Sequence, residues 1–445
     1  MKNIVISGAG EVGRYSAEVL ANRGHSITVV DSNLAALSKI DNIIEAKLVH
    51  GSSCHAEVLE EAGVNGCDVL IAATSLDEIN FMTASIGQKL GAKKVIARAH
   101  ERNFVHSKLV DYNELFNIDH LICPEELTSE AICNQMRNPG VRAVKKFAKN
   151  EIELHQFFVQ ERTPAIHKPL DELSFPPGVR LVTLKRDNES IIPGAKTVIS
   201  PGDQITLVVP AQAIDDVNRL FQNQKIEHHD IAIVGASPVS EWILNDIDRR
   251  SFSVRLFEPN LEIAEKIANQ YPWITVLNAD PIETHVFESE RLDEASAFIA
   301  SGCNEEHNIM GSLQAKSLGA KTTFAVIHNS TYLNSLEGIG IDHPYSPRIE
   351  GAKEVLRLID DSPIKILSEL EQGEVVVYEL TVAKDSKGDG KSLIDIDFSR
   401  ATIIAAIQRG PKVIAPSPTD LILANDTLVI IGPRKIEHTL KTWFL

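Results

Sequence analysis

The stretch Asn3-Ile4-Val5-Ile6-Ser7-Gly8-Ala9-Gly10-Glu11-Val12-Gly13 decides the fold of the first part of this chain. A short apolar run leads into a GxGxxG turn, and a segment with helical periodicity follows. The next apolar run, Ser26-Ile27-Thr28-Val29-Val30, ends at Asp31. Strand, glycine turn, helix, strand and acid follow one another in the order that a dinucleotide-binding fold requires. The sequence therefore predicts a nucleotide site at this turn, and the alternative is a glycine-rich turn without a ligand.

The three glycines and the acid have different predicted roles. Gly8 allows the tight turn, Gly10 lets the backbone approach a pyrophosphate, and Gly13 lets the helix pack closely on the strand. The N–H groups and the dipole at the start of the helix favour phosphate. Asp31 is predicted to accept hydrogen bonds from the hydroxyls of the adenosine ribose.

The composition restricts the class of protein. A length of 445 residues is too great for one compact core and suffices for about two to four domains. Hydrophobic residues make up 43 % and charged residues 24 %, as is typical of a soluble globular protein. The net charge of −17 argues against nucleic acid as a partner, because binding a phosphate backbone needs clustered Lys and Arg. Adsorption to an anionic lipid surface is disfavoured for the same reason.

The sequence also predicts a cytoplasmic location. Met1-Lys2-Asn3 leads straight into the first strand, which leaves no room for a signal peptide. No apolar run approaches the roughly 18–20 residues of a membrane span. The five cysteines are odd in number and lack CxxC spacing, which is typical of a reducing compartment.

From Ala35 to Ile122 predicted helices and strands alternate, as in a parallel sheet covered on both faces. Ligands of such sheets bind outside the carboxyl ends of the strands. Six residues fall at those ends: Gly8, Asp31, Gly51, Thr74, Arg98 and Glu125. Arg98 suits a diphosphate because its planar fork pairs bidentately, and a surface ion pair is the alternative. Glu125 is expected to join this crevice or to bind a cation, or else to be a plain acid in the first turn of a helix.

Between 138 and 223 the pattern changes to short strands and a closing helix, which predicts a small α+β domain. A polar linker is predicted at 222–229, and the chain then repeats itself. Gly235 and Glu258 follow Gly8 and Asp31 by 227 residues (235 − 8 and 258 − 31). The small domain repeats with an offset of 223 residues, so that Arg186, Pro193 and Asp203 recur as Arg409, Pro416 and Asp426.

Internal repetition therefore predicts an α/β protein of four lobes. Two tandem Rossmann-like domains with doubly wound parallel sheets are each followed by a small α+β domain. The predicted boundaries are 1–137 and 226–350 for the Rossmann-like domains, and 138–225 and 351–445 for the small ones.

With these motifs, the chain resembles the TrkA-type regulatory subunits of Trk potassium uptake systems, which have two tandem RCK (regulator of K⁺ conductance) units. The resemblance covers the whole chain, and the small lobes resemble the RCK_C module. The residues that carry it are the glycine turn with Asp31, the stretches 51–63, 74–80, 96–98 and 118–125, and Ser200-Pro201-Gly202-Asp203.

The resemblance implies a nucleotide sensor without catalytic residues or metal. It implies binding of NAD(H), with competition from ATP or ADP, and assembly into a homo-oligomeric ring, a tetramer of two-unit chains. It also implies docking beneath a TrkH-type membrane potassium-translocating subunit at the inner face of the cell membrane. The candidate cofactor-binding residues are Gly8, Ala9, Gly10, Glu11, Val12, Gly13, Asp31, Ser52, Ser53, Thr74, Ser75, Arg98 and Glu125.

The second copy departs from the fingerprint. Its candidate residues are Gly235, Ala236, Ser237, Val239 and Glu258. Ser237 replaces the glycine that admits a pyrophosphate, Pro238 cannot donate an N–H, and Val326 stands where the first copy has Arg98. Three interpretations stay open: a weak site, a site for another nucleotide, or an empty structural copy.

Two other functions are weighed against the sensor. An NAD-dependent oxidoreductase would need a substrate pocket and a general acid or base beside the nicotinamide. The small lobe shows no paired carboxylates, and Cys54 and His55 are neighbours whose side chains point apart. The third possibility is a scaffold that no longer binds nucleotide.

Overall fold

A computed structural model describes residues 1–137, 141–147, 152–159, 163–186, 189–191, 193–221, 229–328, 333, 339–360, 362–370, 375–396, 398, 402–410, 412–414 and 416–445. Two compact units form. One joins Met1–Cys133 to His228–Ile359, and the other joins Asn134–Glu227 to Asp360–Leu445. Within the described ranges, no helix is both long and apolar enough to cross a membrane.

The first lobe has a six-stranded parallel sheet with the order β3-β2-β1-β4-β5-β6. The strands are β1 (Asn3–Ser7), β2 (Ser26–Asp31), β3 (Lys47–His50), β4 (Val69–Ala72), β5 (Val95–Arg98) and β6 (His120–Ile122). The helices are α1 (Glu11–Asn22), α2 (Leu34–Asp41), α3 (Ala56–Glu61), α4 (Asp77–Leu90), α5 (Arg102–Val105), α6 (Tyr112–Phe116) and α7 (Pro124–Arg137). Strand β4 is buried throughout because helices cover both faces of the sheet. The strand order reverses between β1 and β4, where open α/β sheets bind their ligands.

The first small lobe has a five-stranded antiparallel sheet with the order β10-β9-β11-β8-β7. Its elements are β7 (Val141–Phe147), β8 (Ile152–Phe158), β9 (Arg180–Arg186), β10 (Glu189–Ile191), β11 (Gln204–Pro210) and α8 (Ile214–Phe221). The predicted linker lies outside the described residues at 222–228, and His229 already belongs to the next strand.

The second Rossmann-like lobe repeats the topology of the first, with the parallel order β14-β13-β12-β15-β16-β17. Its strands are β12 (His229–Val234), β13 (Phe252–Phe257), β14 (Thr275–Leu277), β15 (Ala297–Ala300), β16 (Thr323–Val326) and β17 (His343–Tyr345). The helices are α9 (Pro238–Asp246), α10 (Leu261–Gln270), α11 (Thr284–Ser289), α12 (Glu305–Ser317) and α13 (Pro347–Ile359).

The last lobe repeats the first small lobe, with the order β18-β19-β22-β20-β21. It consists of β18 (Ile364–Leu370), β19 (Val375–Thr381), β20 (Ile403–Arg409), β21 (Lys412–Ile414), β22 (Thr427–Pro433) and α14 (Glu437–Phe444). In both small lobes an arginine grips an aspartate buried beside a turn. The Arg186–Asp203 and Arg409–Asp426 pairs each have an N–O distance of 2.7 Å. The predicted fold class and its internal repetition are confirmed.

Helix α13 connects the two Rossmann-like lobes. It follows the second sheet in sequence, yet its Val355 and Ile359 are buried in the core of the first lobe, beside α1. Gly351 lies so close to Pro124 that a Cβ atom there would be 2.9 Å from the proline ring. The predicted boundary between 350 and 351 falls inside this helix. The second lobe therefore covers the helix that begins at the first glycine turn.

Candidate functional site

The first glycine turn has the shape that its three glycines predict. Gly8 has φ +105°, and a Cβ atom there would lie 2.7 Å from the carbonyl oxygen of Ala73. A Cβ atom at Gly13 would overlap the carbonyl oxygen of Gly8. By contrast, a Cβ atom at Gly10 would meet nothing within 4 Å, and no side chain caps α1 there. The start of α1 therefore faces open space, as a bound phosphate would require.

Asp31 holds this turn through its carboxylate. One oxygen accepts the backbone N–H of Ala9 at 2.6 Å, and the other accepts the N–H of Asn33 at 2.7 Å. Each carboxylate oxygen has two lone pairs, so the group can accept further hydrogen bonds from a ligand. Asp31 thus positions the turn and keeps acceptor capacity at the end of β2.

The two serines after β3 differ in their surroundings. The Ser53 hydroxyl is buried and lies within hydrogen-bond distance of Ser7 Oγ, at 2.7 Å, and of Thr83 Oγ1, at 2.8 Å. It ties the end of β1 to α4 and is a structural contact in this arrangement. Ser52 is half-buried, and its hydroxyl accepts a long 3.4 Å hydrogen bond from the N–H of Cys54.

A buried asparagine joins the ends of β4 and β5. Asn80 Oδ1 accepts the N–H of Thr74 at 2.8 Å, while its Nδ2 donates to the carbonyls of Thr74 at 3.2 Å and Arg98 at 3.0 Å. Ser75, the other predicted residue of this loop, is exposed. Sequence reasoning used Asn80 only as a marker of the repeat, although Asn308 fills the same role in the second lobe, 228 residues later (308 − 80).

Arg98 and Glu125 form an ion pair across the ends of β5 and β6. Arg98 Nη2 lies 2.8 Å from Glu125 Oε1, and the side chains are only 13 % and 11 % exposed. Arg98 Nε is buried and has no hydrogen-bond partner among the described residues. Burial, and then the Glu125 charge, raise the pKa of the adjacent Cys123 thiol. The pair is therefore partly buried, not the surface contact that was the alternative to diphosphate binding.

Asp77 is a structural acid that sequence reasoning missed. Its carboxylate accepts the backbone N–H of His100 at 2.9 Å and the N–H of Glu101 at 3.1 Å, and it lies 2.7 Å from His100 Nδ1. Burial alone would raise the pKa of Asp77, but these hydrogen bonds outweigh burial and lower it. The acid fixes the start of α4 to the end of β5, beside the predicted crevice.

The second glycine turn keeps the acid and loses the open space. Glu258 accepts the N–H groups of Ala236 and Asn260, each at 2.9 Å, as Asp31 does in the first lobe. Ser237, however, caps α9 with its own hydroxyl. Ser240 Oγ donates to the carbonyl of Gly235 at 2.6 Å, and Val239 is buried. Protein hydroxyls therefore satisfy groups that an anion would otherwise bind.

The structure thus assembles the predicted residues at the strand ends of the first sheet, and the second set lies at its own sheet. Gly8, Asp31, Thr74 and Arg98 all border the point where the strand order reverses. Among the described residues, no cluster of three or more His, Cys, Asp or Glu side chains has the arrangement of a metal site.

Comparisons with known proteins agree with the repeat. The TrkA-N domain matches residues 4–124 and 231–347, and the TrkA-C domain matches residues 154–222 and 377–445. The Trk system potassium uptake protein TrkA homolog of Archaeoglobus fulgidus is 27 % identical over 98 % of this chain and 99 % of its own length. The Trk system potassium uptake protein TrkA of Vibrio alginolyticus is 28 % identical over 97 % of this chain and 96 % of its own.

Two solved structures share the fold. The GsuK channel bound to NAD has a TM-score of 0.65 at 18 % identity and covers 99 % of this chain and 78 % of its own. GsuK bound to ADP has a TM-score of 0.52 at 16 % identity, with coverage of 81 % and 69 %. The chain belongs to the TrkA family of Trk potassium uptake proteins, and it carries the TrkA-N and TrkA-C domains twice in tandem.

Proposed function

We propose that this chain is the regulatory subunit of a Trk-type potassium uptake system and senses nucleotides in the crevice of its first lobe. One observation carries the proposal: the open space over Gly10 lies beside the uncapped start of α1 and the carboxylate of Asp31. That arrangement suits a diphosphate joined to an adenosine ribose. The ligands proposed are NAD(H), ADP and ATP.

Each part of the ligand has a partner in this proposal. The backbone N–H groups from Gly10 to Gly13 receive the diphosphate, and the remaining lone pairs of Asp31 receive the ribose hydroxyls. Arg98 supplies positive charge from β5 and is held in place by Glu125. Thr74 and Ser75 line the loop after β4. The N-terminal domain of residues 1–137 thus forms the main sensor.

The second lobe is proposed to be a weaker site or an unliganded structural copy. Ser237 and Ser240 occupy the hydrogen-bonding groups at the start of α9, and Pro238 removes one donor. Glu258 still presents a carboxylate at the end of β13, so a nucleotide of another kind remains the competing occupant.

The proposed partner is a TrkH-type membrane potassium channel subunit, which the chain meets from the cytoplasm. The names of the relatives as potassium uptake proteins and the channel fold neighbour support this partner. A ligand shifts an arrangement only by its difference in affinity between two states. A tenfold preference supplies about 1.4 kcal/mol per site, so several sites must add. We therefore propose a homo-oligomeric ring, a tetramer of two-unit chains.

The oxidoreductase alternative is not favoured. The relatives reported above are named as potassium uptake proteins, and the fold neighbours are channel structures.

The test combines binding with transport. We expect NADH, NAD⁺, ADP or ATP to raise the unfolding temperature of the intact protein, because a ligand at 100 times its Kd adds about 2.7 kcal/mol. The same ligands should change potassium flux in vesicles that contain a TrkH-type subunit and this chain. A flat thermal panel would overturn the sensor, and turnover of NADH would restore the oxidoreductase.

A further inference from the structure

Arg348 of the second lobe reaches the start of α1 in the first lobe. It is the second residue of α13, and its Nη1 lies 2.6 Å from Glu11 Oε2. Its guanidinium carbon also lies 5.5 Å from the ring centroid of Tyr15, one turn along α1. The side chain of Arg348 is 7 % exposed, whereas that of Glu11 is 59 % exposed. A buried cation is thus directed at the first turn of the helix beside the open space over Gly10.

The hydrogen bonding of this arginine is incomplete. Nη1 also donates to the carbonyl of His328 at 3.1 Å, but the buried Nε finds no partner in the described part of the chain. Burial lowers the pKa of Arg348, although the Glu11 carboxylate acts in the opposite direction. An arginine stays protonated in proteins, so the positive charge persists at the site. A single, largely exposed carboxylate compensates it.

Glu11 is the first residue of α1, where the helix dipole favours negative charge. It therefore occupies the same electrostatic position that a phosphate would take. Arg14 lies 3.2 Å from its other oxygen. Two arginines thus surround one exposed acid, immediately after the glycine whose missing side chain leaves the space open.

We propose that Arg348 is a phosphate-recognition residue that the second lobe supplies to the nucleotide site of the first lobe. This inference rests on the nucleotide-sensing function proposed above. Glu11 holds Arg348 in place while the site is empty, and a phosphate at the start of α1 then shares the guanidinium with it. Both phosphates of NAD are esterified, whereas ADP and ATP carry a free, more highly charged terminal phosphate. Arg348 therefore favours ADP and ATP over the dinucleotide.

Two charge substitutions test this assignment, because they act in opposite directions. Arg348→Gln should weaken binding of ADP and ATP by at least about tenfold, the typical loss of one charge-assisted hydrogen bond. Its effect on NADH should be smaller. Glu11→Gln removes the competing carboxylate but keeps the backbone N–H, so it should tighten ADP and ATP binding. Titration calorimetry on the full chain measures all three ligands.

The control is Arg357→Gln. Arg357 lies on the same helix, is 60 % exposed and pairs with Glu354, so its loss should leave every affinity unchanged. If the ion pair only holds the lobes together, Arg348→Gln and Glu11→Gln break the same contact and weaken binding alike, which would overturn the inference. Unchanged ADP and ATP affinities in Arg348→Gln would overturn it too. If the wild-type chain binds none of the nucleotides, the sensor itself fails. Should Arg348→Gln not fold, the sign of the Glu11→Gln effect decides.

Discussion

Gly13 and Ser240 occupy the same position in the two glycine turns, 227 residues apart (240 − 13), and only Ser240 leaves room for a side chain. Its hydroxyl donates to the carbonyl of Gly235 at 2.6 Å. In the first lobe a Cβ atom at Gly13 would overlap the carbonyl of Gly8, so helix and turn are closer there. The first turn is therefore compact and open to a ligand, whereas the second is filled by its own hydroxyl groups.

Gly10 and Gly13 should separate ligand binding from folding. Gly10→Ala places a methyl group in open space at an ordinary φ of −69°, so the empty protein should unfold at nearly the wild-type temperature. The methyl group should nevertheless obstruct the diphosphate and remove most of the NADH-induced thermal shift. Gly13→Ala should instead lower the unfolding temperature without ligand, because the added carbon overlaps backbone. Equal effects of the two substitutions on the empty protein would contradict this assignment.

Asp31→Ala should affect both stability and binding. The substitution leaves the N–H groups of Ala9 and Asn33 without their carboxylate acceptor, which should cost about 1–3 kcal/mol of unfolding free energy. It should also abolish most of the NADH-induced shift in unfolding temperature. Asp41→Ala, on an exposed position at the end of α2, is the matched control. An unchanged NADH shift would remove Asp31 from the site.

Arg98→Met should destabilise the protein by about 3–5 kcal/mol, because it strands the Glu125 carboxylate in a nearly buried position. The double variant with Glu125→Gln removes both charges and should recover most of that loss in urea unfolding. It should still bind NADH about tenfold more weakly, since the positive charge toward the diphosphate is gone. Wild-type affinity in a stable double variant would mean that the ion pair is purely structural.

The Asp77 carboxylate should make the first Rossmann-like lobe sensitive to acid. Its pKa is lower in the folded state than the unfolded value of about 3.9, so its stabilisation is present above that pH. The stabilisation disappears as the pH falls through the folded pKa. Asp77→Asn should therefore lower the urea midpoint at neutral pH, and the gap to wild type should narrow below about pH 4. The exposed Glu78→Gln should show no such narrowing, and a constant gap for Asp77→Asn would refute the linkage.

Local patterns in the sequence determined the elements and their repetition. The bounds of β1, α4, β6 and α8 agree with the structure, because apolar periodicity, glycine stops and turn residues act over a few neighbouring positions. Strand β7, at 141–147, was missed because its charged and apolar residues show no strong alternation. The repeat itself predicted two equivalent sheets, and it contained the signal for Asn80 and Asn308, whose shared spacing was visible before their hydrogen bonds were.

Only the tertiary structure decided which distant groups meet. No periodicity relates Glu11 to Arg348, because they are brought together when α13 leaves the second sheet and packs across α1. The same holds for the Arg98–Glu125 pair and for the hydroxyls of Ser7, Ser53 and Thr83. The physical reason is that turn chemistry and helix or strand formation depend on adjacent residues. Ion pairing and burial depend on which surfaces the folded chain places in contact.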